Sequence, residues 1–218
     1  MAKKSLAVLV FTALVAGGAF AIDMSAGLGG NFAVNFDSFK FEYDGEKFDM
    51  SRTMTGGGFS AFFDATFVEA NIGMLFGGTK LKYDGESFDD ASESLSYLTL
   101  GLFGKYPFNL GAMSLFPLLG VQFDIGLSAK DNDGKAINFE DWEDTSKADY
   151  MNRIWIKLGV GADFNLSNRL YLRPSFLYGI NFGSKYDRDM KKDTKDEGGK
   201  ASSFHHGLDL RVALGFKF

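Results

Sequence analysis

The chain contains no cysteine. Its absence excludes disulfides, a thiolate metal centre, a cysteine nucleophile and a lipid-anchored cysteine. Proline is scarce, with 3 in 218 residues. A basic excess is also missing: 23 Lys and Arg stand against 28 Asp and Glu, for a net charge of −5. That balance argues against nucleic acid as a partner. Beyond residue 21 no apolar run approaches the ~20 residues a membrane helix needs. Glycine (27) and phenylalanine (24) are plentiful instead. Glycine-rich, aromatic-rich, proline-poor sequence fits an all-β chain better than a soluble α/β enzyme.

The first 21 residues read as a cleavable secretory signal peptide. Met1-Ala2-Lys3-Lys4-Ser5 is a short basic start, Leu6 to Phe20 is apolar, and Ala19-Phe20-Ala21 has the A-x-A form of a cleavage site. Processing is expected between Ala21 and Ile22, leaving a single domain over 22–218.

After Ala21 the apolar residues alternate, which is the period of a strand. In the first segment Met24, Ala26, Leu28, Phe32, Val34 and Phe36 face one way, while Ser25, Gly27, Gly29, Asn31 and Ala33 face the other. The pattern recurs at about 54–64, 67–77, 95–106, 113–128, 153–164, 170–183 and 204–218. Eight strands of this length, tilted, each cover a bilayer's hydrocarbon thickness. A soluble sandwich would use shorter strands. Most charges gather in four predicted loops, 37–52, 78–94, 129–152 and 185–203. Those that remain on strands all fall on the non-apolar face. One face therefore suits lipid and the other a polar interior. Long and short connections alternate, as in barrels with long outer loops and short periplasmic turns. Aromatics collect where interfaces are expected: Phe36, Phe76, Phe182 and Phe204 outside, Phe63, Tyr106, Phe164 and Phe218 inside.

With the signal peptide, the strand pattern and the closing strand Leu208–Phe218, the sequence resembles the small eight-stranded outer-membrane barrels of the OmpA transmembrane, OmpX and OmpW type. The resemblance covers essentially all of 22–218. It implies an all-β membrane protein folded as a closed eight-stranded antiparallel up-and-down barrel. It also implies that Leu214, Phe216 and Phe218 form the signal read by the barrel-assembly machinery. No separate peptidoglycan-binding half is expected after the closing strand.

Several residues are candidates for function. Glu69, Asp124 and Asp209 balance Lys157, Arg173 and Arg211 on the inward face, and buried charges persist only when paired. An eight-stranded barrel is about as wide as its own side chains, so these six are expected to form a polar plug, aided by Gln122 and Asn31. The alternative is a gate: inward glycines, among them Gly27, Gly161 and Gly179, would leave a narrow cavity made partly apolar by Phe62, Leu75, Phe103, Phe116, Leu118 and Leu177. A repeat at a spacing of 40 residues, Tyr43-Asp44-Gly45-Glu46-Lys47-Phe48-Asp49 and Tyr83-Asp84-Gly85-Glu86-Ser87-Phe88-Asp89, reads as a tight turn that extends each hairpin above the membrane. Tyr43, Phe48, Tyr83 and Phe88 are its candidate contacts. His205 and His206 point to opposite faces, and a hydrolase on His206 and a serine lacks an orienting acid on that face. Asp131-Asn132-Asp133-Gly134 echoes a calcium loop, but Ala129 occupies the first ligand position, so a turn is expected.

The expected function is structural and surface-interacting, carried by four long, mobile outer loops over a largely plugged interior. A narrow channel for small or apolar solutes comes second and a lipid-modifying enzyme third. No catalytic residue, cofactor or metal is expected. The expected partners are outer-membrane lipid, the assembly machinery and an extracellular ligand.

Overall fold

A computed structural model of the chain describes residues 23–88, 92–139 and 146–218. The expected signal peptide, residues 1–21, lies outside them. Ten strands form one antiparallel sheet: β1 Met24–Tyr43, β2 Glu46–Ala65, β3 Val68–Tyr83, β4 Glu86–Phe88, β5 Ser94–Lys105, β6 Phe108–Asn109, β7 Met113–Lys130, β8 Arg153–Asn165, β9 Leu170–Asn181 and β10 Lys200–Lys217. Eight of them run in a ring, β1-β2-β3-β5-β7-β8-β9-β10, and β10 pairs back onto β1 from Ser25↔Lys217 to Glu42↔Lys200. The expected eight-stranded antiparallel up-and-down barrel is the fold observed. Because the last strand meets the first, the ring leaves no open edge to satisfy in lipid.

Alternation decides which way each side chain points. On β10, Leu208, Leu210, Val212, Leu214 and Phe216 are exposed, whereas Asp209, Ala213 and Gly215 are buried. Across the other strands Leu28, Phe59, Ile72, Leu119, Ile156, Leu158 and Phe176 continue the outward apolar surface. In water such a surface would be a large liability; in a bilayer it is the solvated face.

Strands pass well beyond the predicted ends. The first predicted loop, 37–52, is strand except for Asp44-Gly45, whose φ angles of 50° and 86° give the left-handed pair a two-residue hairpin turn requires. Asp84-Gly85 repeats that turn with φ of 48° and 86°. The fourth predicted loop, 185–203, carries helix α2, Lys185–Asp196, and the start of β10. The third carries a short helix α1, Lys147–Met151. Each helix opens on a capping box, Ser146 with Asp149 and Ser184 with Asp187. So the picture of four loops is corrected: the first is a hairpin of sheet, and parts of the third and fourth are helical. The cause is that backbone ladders do not stop where lipid contrast stops.

The wall is uneven in height. At the end bearing the long connections, β1, β2 and β3 run on as tall hairpins, with β4 beside β3. On the opposite side β8 starts at Arg153 and β9 ends at Asn181. There α1 and α2 stand in the space between β7 and β10.

Candidate functional site

Three groups of polar side chains point into the interior and follow one another along the strands. β8 supplies one charge to each: Asp163 near the short turns, Lys157 in the middle, and Arg153 near the long connections.

The group nearest the short turns is organised by Arg173. Its guanidinium reaches Asp163 (Nε–Oδ1 2.6 Å), Glu69 (Nη1–Oε2 2.6 Å) and Asp64 (Nη2–Oδ2 2.6 Å). Lys105 also pairs with Asp64, and Asn71 donates to Glu69 at 2.7 Å. The planar cation lies against the rings of Phe62, Phe116 and Tyr171, at 4.5, 5.0 and 5.1 Å from their centroids. Arginine suits this place because its fork meets several carboxylates in one plane while its faces stack on rings.

In the middle, Lys157 pairs with Asp209, and Arg211 bridges Asp209 (3.3 Å) and the Gln122 carbonyl (2.8 Å). Gln122 passes the chain on to Asp124 at 2.7 Å, and the Trp155 indole donates to the second Asp124 oxygen at 2.6 Å. The third group centres on Asp37. Arg52 (2.9 Å), Arg153 (3.3 Å) and His205 Nδ1 (2.9 Å) all meet its carboxylate, and Arg52 also lies 3.8 Å from Asp187 at the start of α2.

The six charges expected in the lumen are all there, but they do not form one cluster. Glu69 and Arg173 belong to the first group, and Asp124, Lys157, Asp209 and Arg211 to the second. Asp124 is held by an amide and an indole, where a cation was expected. Gln122 is part of the network; Asn31 is not, its Oδ1 having no hydrogen-bond partner among the described residues. Two of the inward glycines that the gate alternative relied on have rings beside them. A Cβ on Gly161 would stand 2.4 Å from the Phe116 ring, and one on Gly27 would stand 2.4 Å from the Phe62 ring. Glycine is needed there because the rings occupy the space. Phe103, Phe116, Leu118 and Leu177 pack together as a buried apolar cluster.

No protein-family model matches the chain, and no curated protein matches it. Among solved structures it is similar to the outer membrane protein OprG of Pseudomonas aeruginosa, with a TM-score of 0.51 at 13% identity over 91% of this chain and 96% of that one. It also matches Neisserial surface protein A, with a TM-score of 0.41 at 11% identity over 87% of this chain and 97% of that one. The chain has the fold of the small outer-membrane β-barrels. At such identities the likeness speaks for fold alone.

At the long-connection end of this barrel, the two repeats pack on each other. Phe48 stacks on Tyr83 at 6.2 Å, and the Asp49 amide donates to the Asp84 carboxylate at 2.9 Å. Tyr43 lies against Gly199 beyond α2 instead. The side chain of Phe88 lies outside the described residues. A cavity of about 620 Å³ opens at this mouth, lined by Phe39, Met50, Leu81, Ile137, Tyr150 and Arg52 among others. Burial raises the Tyr150 phenol, which donates to Glu93 at 2.8 Å. Asp131-Asn132-Asp133-Gly134 is a turn: Gly134 has φ 77°, and the Asp131 carboxylate takes the Lys135 amide at 2.8 Å.

The histidines separate as their alternation requires. His206 faces outward and stacks on Phe36 at 5.1 Å. His205 faces inward, with Nδ1 on Asp37 and Nε2 3.0 Å from the Ser203 hydroxyl. The order of groups is that of a catalytic relay. However, Asp37 is already shared between two guanidinium groups, which leaves little negative charge to stabilise an imidazolium. The arrangement reads as a buried ion-pair network centred on Asp37, in which Nε of Arg153 has no hydrogen-bond partner among the described residues. Sequence reasoning missed Asp37, Arg52 and His205. The signal was present: carried past Phe36, the parity of β1 puts Asp37 and Phe39 inside.

At the other end Phe218 donates its amide to Met24 across the β1–β10 seam at 3.0 Å. Leu214, Phe216 and Phe218 all face outward, and the last two rings meet edge to face at 6.0 Å.

Proposed function

We propose that the chain is a plugged outer-membrane barrel that works through what it presents outside the cell, not through a pore. The observation that carries this reading is the Arg173 hub, with the Asp209 and Asp37 groups above it. Side chains from facing strands meet across the whole interior, whereas water-filled porins need about 16–18 strands. The short-turn end is then periplasmic, and the tall hairpins of β1 to β4, with α1 and α2, stand outside the cell. Their aromatic and charged tips form the surface for an extracellular ligand, and rigidly held outer segments are where such contacts concentrate. Leu214, Phe216 and Phe218 are offered to the assembly machinery at the seam where the ring closes.

Uptake of small apolar solutes is a second reading, favoured by the aromatic mouth cavity. Planar-bilayer recording separates the two. Wild type is expected to be silent, and Arg211→Ala, which removes the bridge between Asp209 and Gln122, is expected to show small conductance. Steady conductance in wild type overturns the plugged reading and promotes the channel.

A further inference from the structure

The low side of the wall holds a second cavity, of about 580 Å³. Its position follows from the strand ends. β7 pairs with β8 only as far as Asp124↔Arg153, and β8 with β9 only as far as Trp155↔Asn181. β7 itself continues to Lys130 alongside β5, so the ring has a notch above Arg153. α1 closes part of it: Lys147 donates to the Leu127 carbonyl at 3.0 Å, and the Gly126 amide donates to the Asn152 side chain at 2.9 Å. The cavity remains between the helices and the wall.

Residues from both faces of the wall line this cavity. Phe123, Ile125, Ile154 and Phe182 are outward and exposed; Asp124 and Arg153 point inward. The notch therefore joins the apolar surface to buried charge. Phe182 sits one residue past the His205↔Asn181 pair, level with Phe204, at the expected outer interface. Above it stand Lys185 and the exposed Arg188 of α2.

The charges of this site favour an anion. The Asp124 oxygens are taken by Gln122 and Trp155, and Asp149 is taken by the Ser146 cap. Lys185 pairs with Asp189 at 2.7 Å and lies 3.9 Å from Asp149, half-exposed, where water weakens both pairs. Arg188 donates one hydrogen bond, to the Gly183 carbonyl at 2.9 Å. The decisive atom is Nε of Arg153. It is buried, its residue lines the cavity, and it has no hydrogen-bond partner among the described residues. A buried cationic donor of this kind calls for an acceptor.

We propose that the notch binds a phosphorylated acyl lipid of the surrounding leaflet. The phosphate would lie against Arg188, Lys185 and Nε of Arg153, with an acyl chain along Phe182, Ile154, Phe123 and Ile125. The four apolar side chains continue the lipid-facing surface, so an acyl chain of the leaflet already lies along them, and the cations beside them add a contact for its phosphate. The inference rests on the outer-membrane reading, which sets the apolar surface in lipid and this end at its boundary.

The test uses the full chain refolded in micelles and in vesicles. Dioleoyl phosphatidic acid and dioleoylglycerol share their acyl chains and differ by the phosphate, and native mass spectrometry measures retention of each. Wild type is expected to prefer phosphatidic acid about tenfold, the size of one charge-assisted hydrogen bond. The pair Lys185→Gln and Arg188→Gln, on an exposed helix, should bring the two lipids to near parity without affecting insertion. Arg153→Gln should do the same where it folds. Lys80→Gln with Lys82→Gln makes the same change in charge on a distant hairpin and should leave the preference intact. Equal retention of both lipids by wild type overturns the proposal. So does a preference that survives the α2 pair, or one that falls equally in the hairpin pair. Displacement of the lipid by millimolar inorganic phosphate alone would assign the site to a free anion and also overturn it. Failure of wild type to insert into vesicles is a separate result, and it removes the membrane reading itself.

Discussion

The two faces of the wall are built from alternate residues of the same strands and obey opposite rules. Leu210 and Arg211 are neighbours on β10. One is 52% exposed on the apolar surface, and the other bridges Asp209 and Gln122 inside. Outside, identity matters little as long as the side chain is apolar, because lipid adapts to any shape. Inside, partners are fixed: Arg173 touches three carboxylates and three rings at once, and no other side chain could replace it. The lesson is that the outer face is specified by class and the inner face by individual residue.

That contrast is sharpest at Arg173. Arg173→Ala leaves Asp163, Glu69 and Asp64 buried, with Lys105 as their remaining cation. Breaking a buried ion-pair network in this way costs about 3–5 kcal/mol. Denaturant unfolding in vesicles should show a loss of that size. A neutral result would mean that water fills the lumen, and the plug would be lost as an argument.

A smaller effect is expected on the lipid side. Leu210→Arg should cost about 2–4 kcal/mol, the depth-dependent penalty for arginine near the bilayer midplane. Leu214→Arg, close to the short-turn end, should cost about 0–1 kcal/mol by the same dependence. Equal costs at the two positions would show that depth is not what the outer face senses, and the bilayer reading of that face would fail.

A modest effect is expected at the hairpins, where neither rule governs. Tyr83→Ala removes the stack on Phe48 and should cost about 0.5–1.5 kcal/mol. It should leave barrel insertion unchanged, as read by the mobility of unheated protein on electrophoresis. A loss of insertion would make the tall hairpins part of the folding core.

Much of this was legible in the residues. Alternation over Leu208–Phe218 sets which way each side chain of β10 points, and the Tyr-Asp-Gly-Glu repeat announces two hairpin turns. The capping boxes were legible too: Ser146-Lys147-Ala148-Asp149 and Ser184-Lys185-Tyr186-Asp187 share one pattern, S-K-x-D, and each opens a helix. They were overlooked because the surrounding charge made both segments read as loops. Charge was likewise mistaken for loop over 37–52. Above the membrane both faces of a strand meet water, so apolar alternation fades while backbone pairing goes on.

The sequence by itself determined which residues face lipid, because a period of two on a strand is a local property of the chain. It also determined that the inward charges must be paired, because unpaired ions cannot stay buried. Only the tertiary structure decided the partners. Arg173 and Glu69 meet across 104 positions of sequence, and His205 and Asp37 across 168. Such pairs depend on the stagger of strands around a closed ring, which no local pattern encodes. The notch above Arg153 is of the same kind. It exists because two strands stop short of their neighbours, and that height difference is a fact about the ring as a whole.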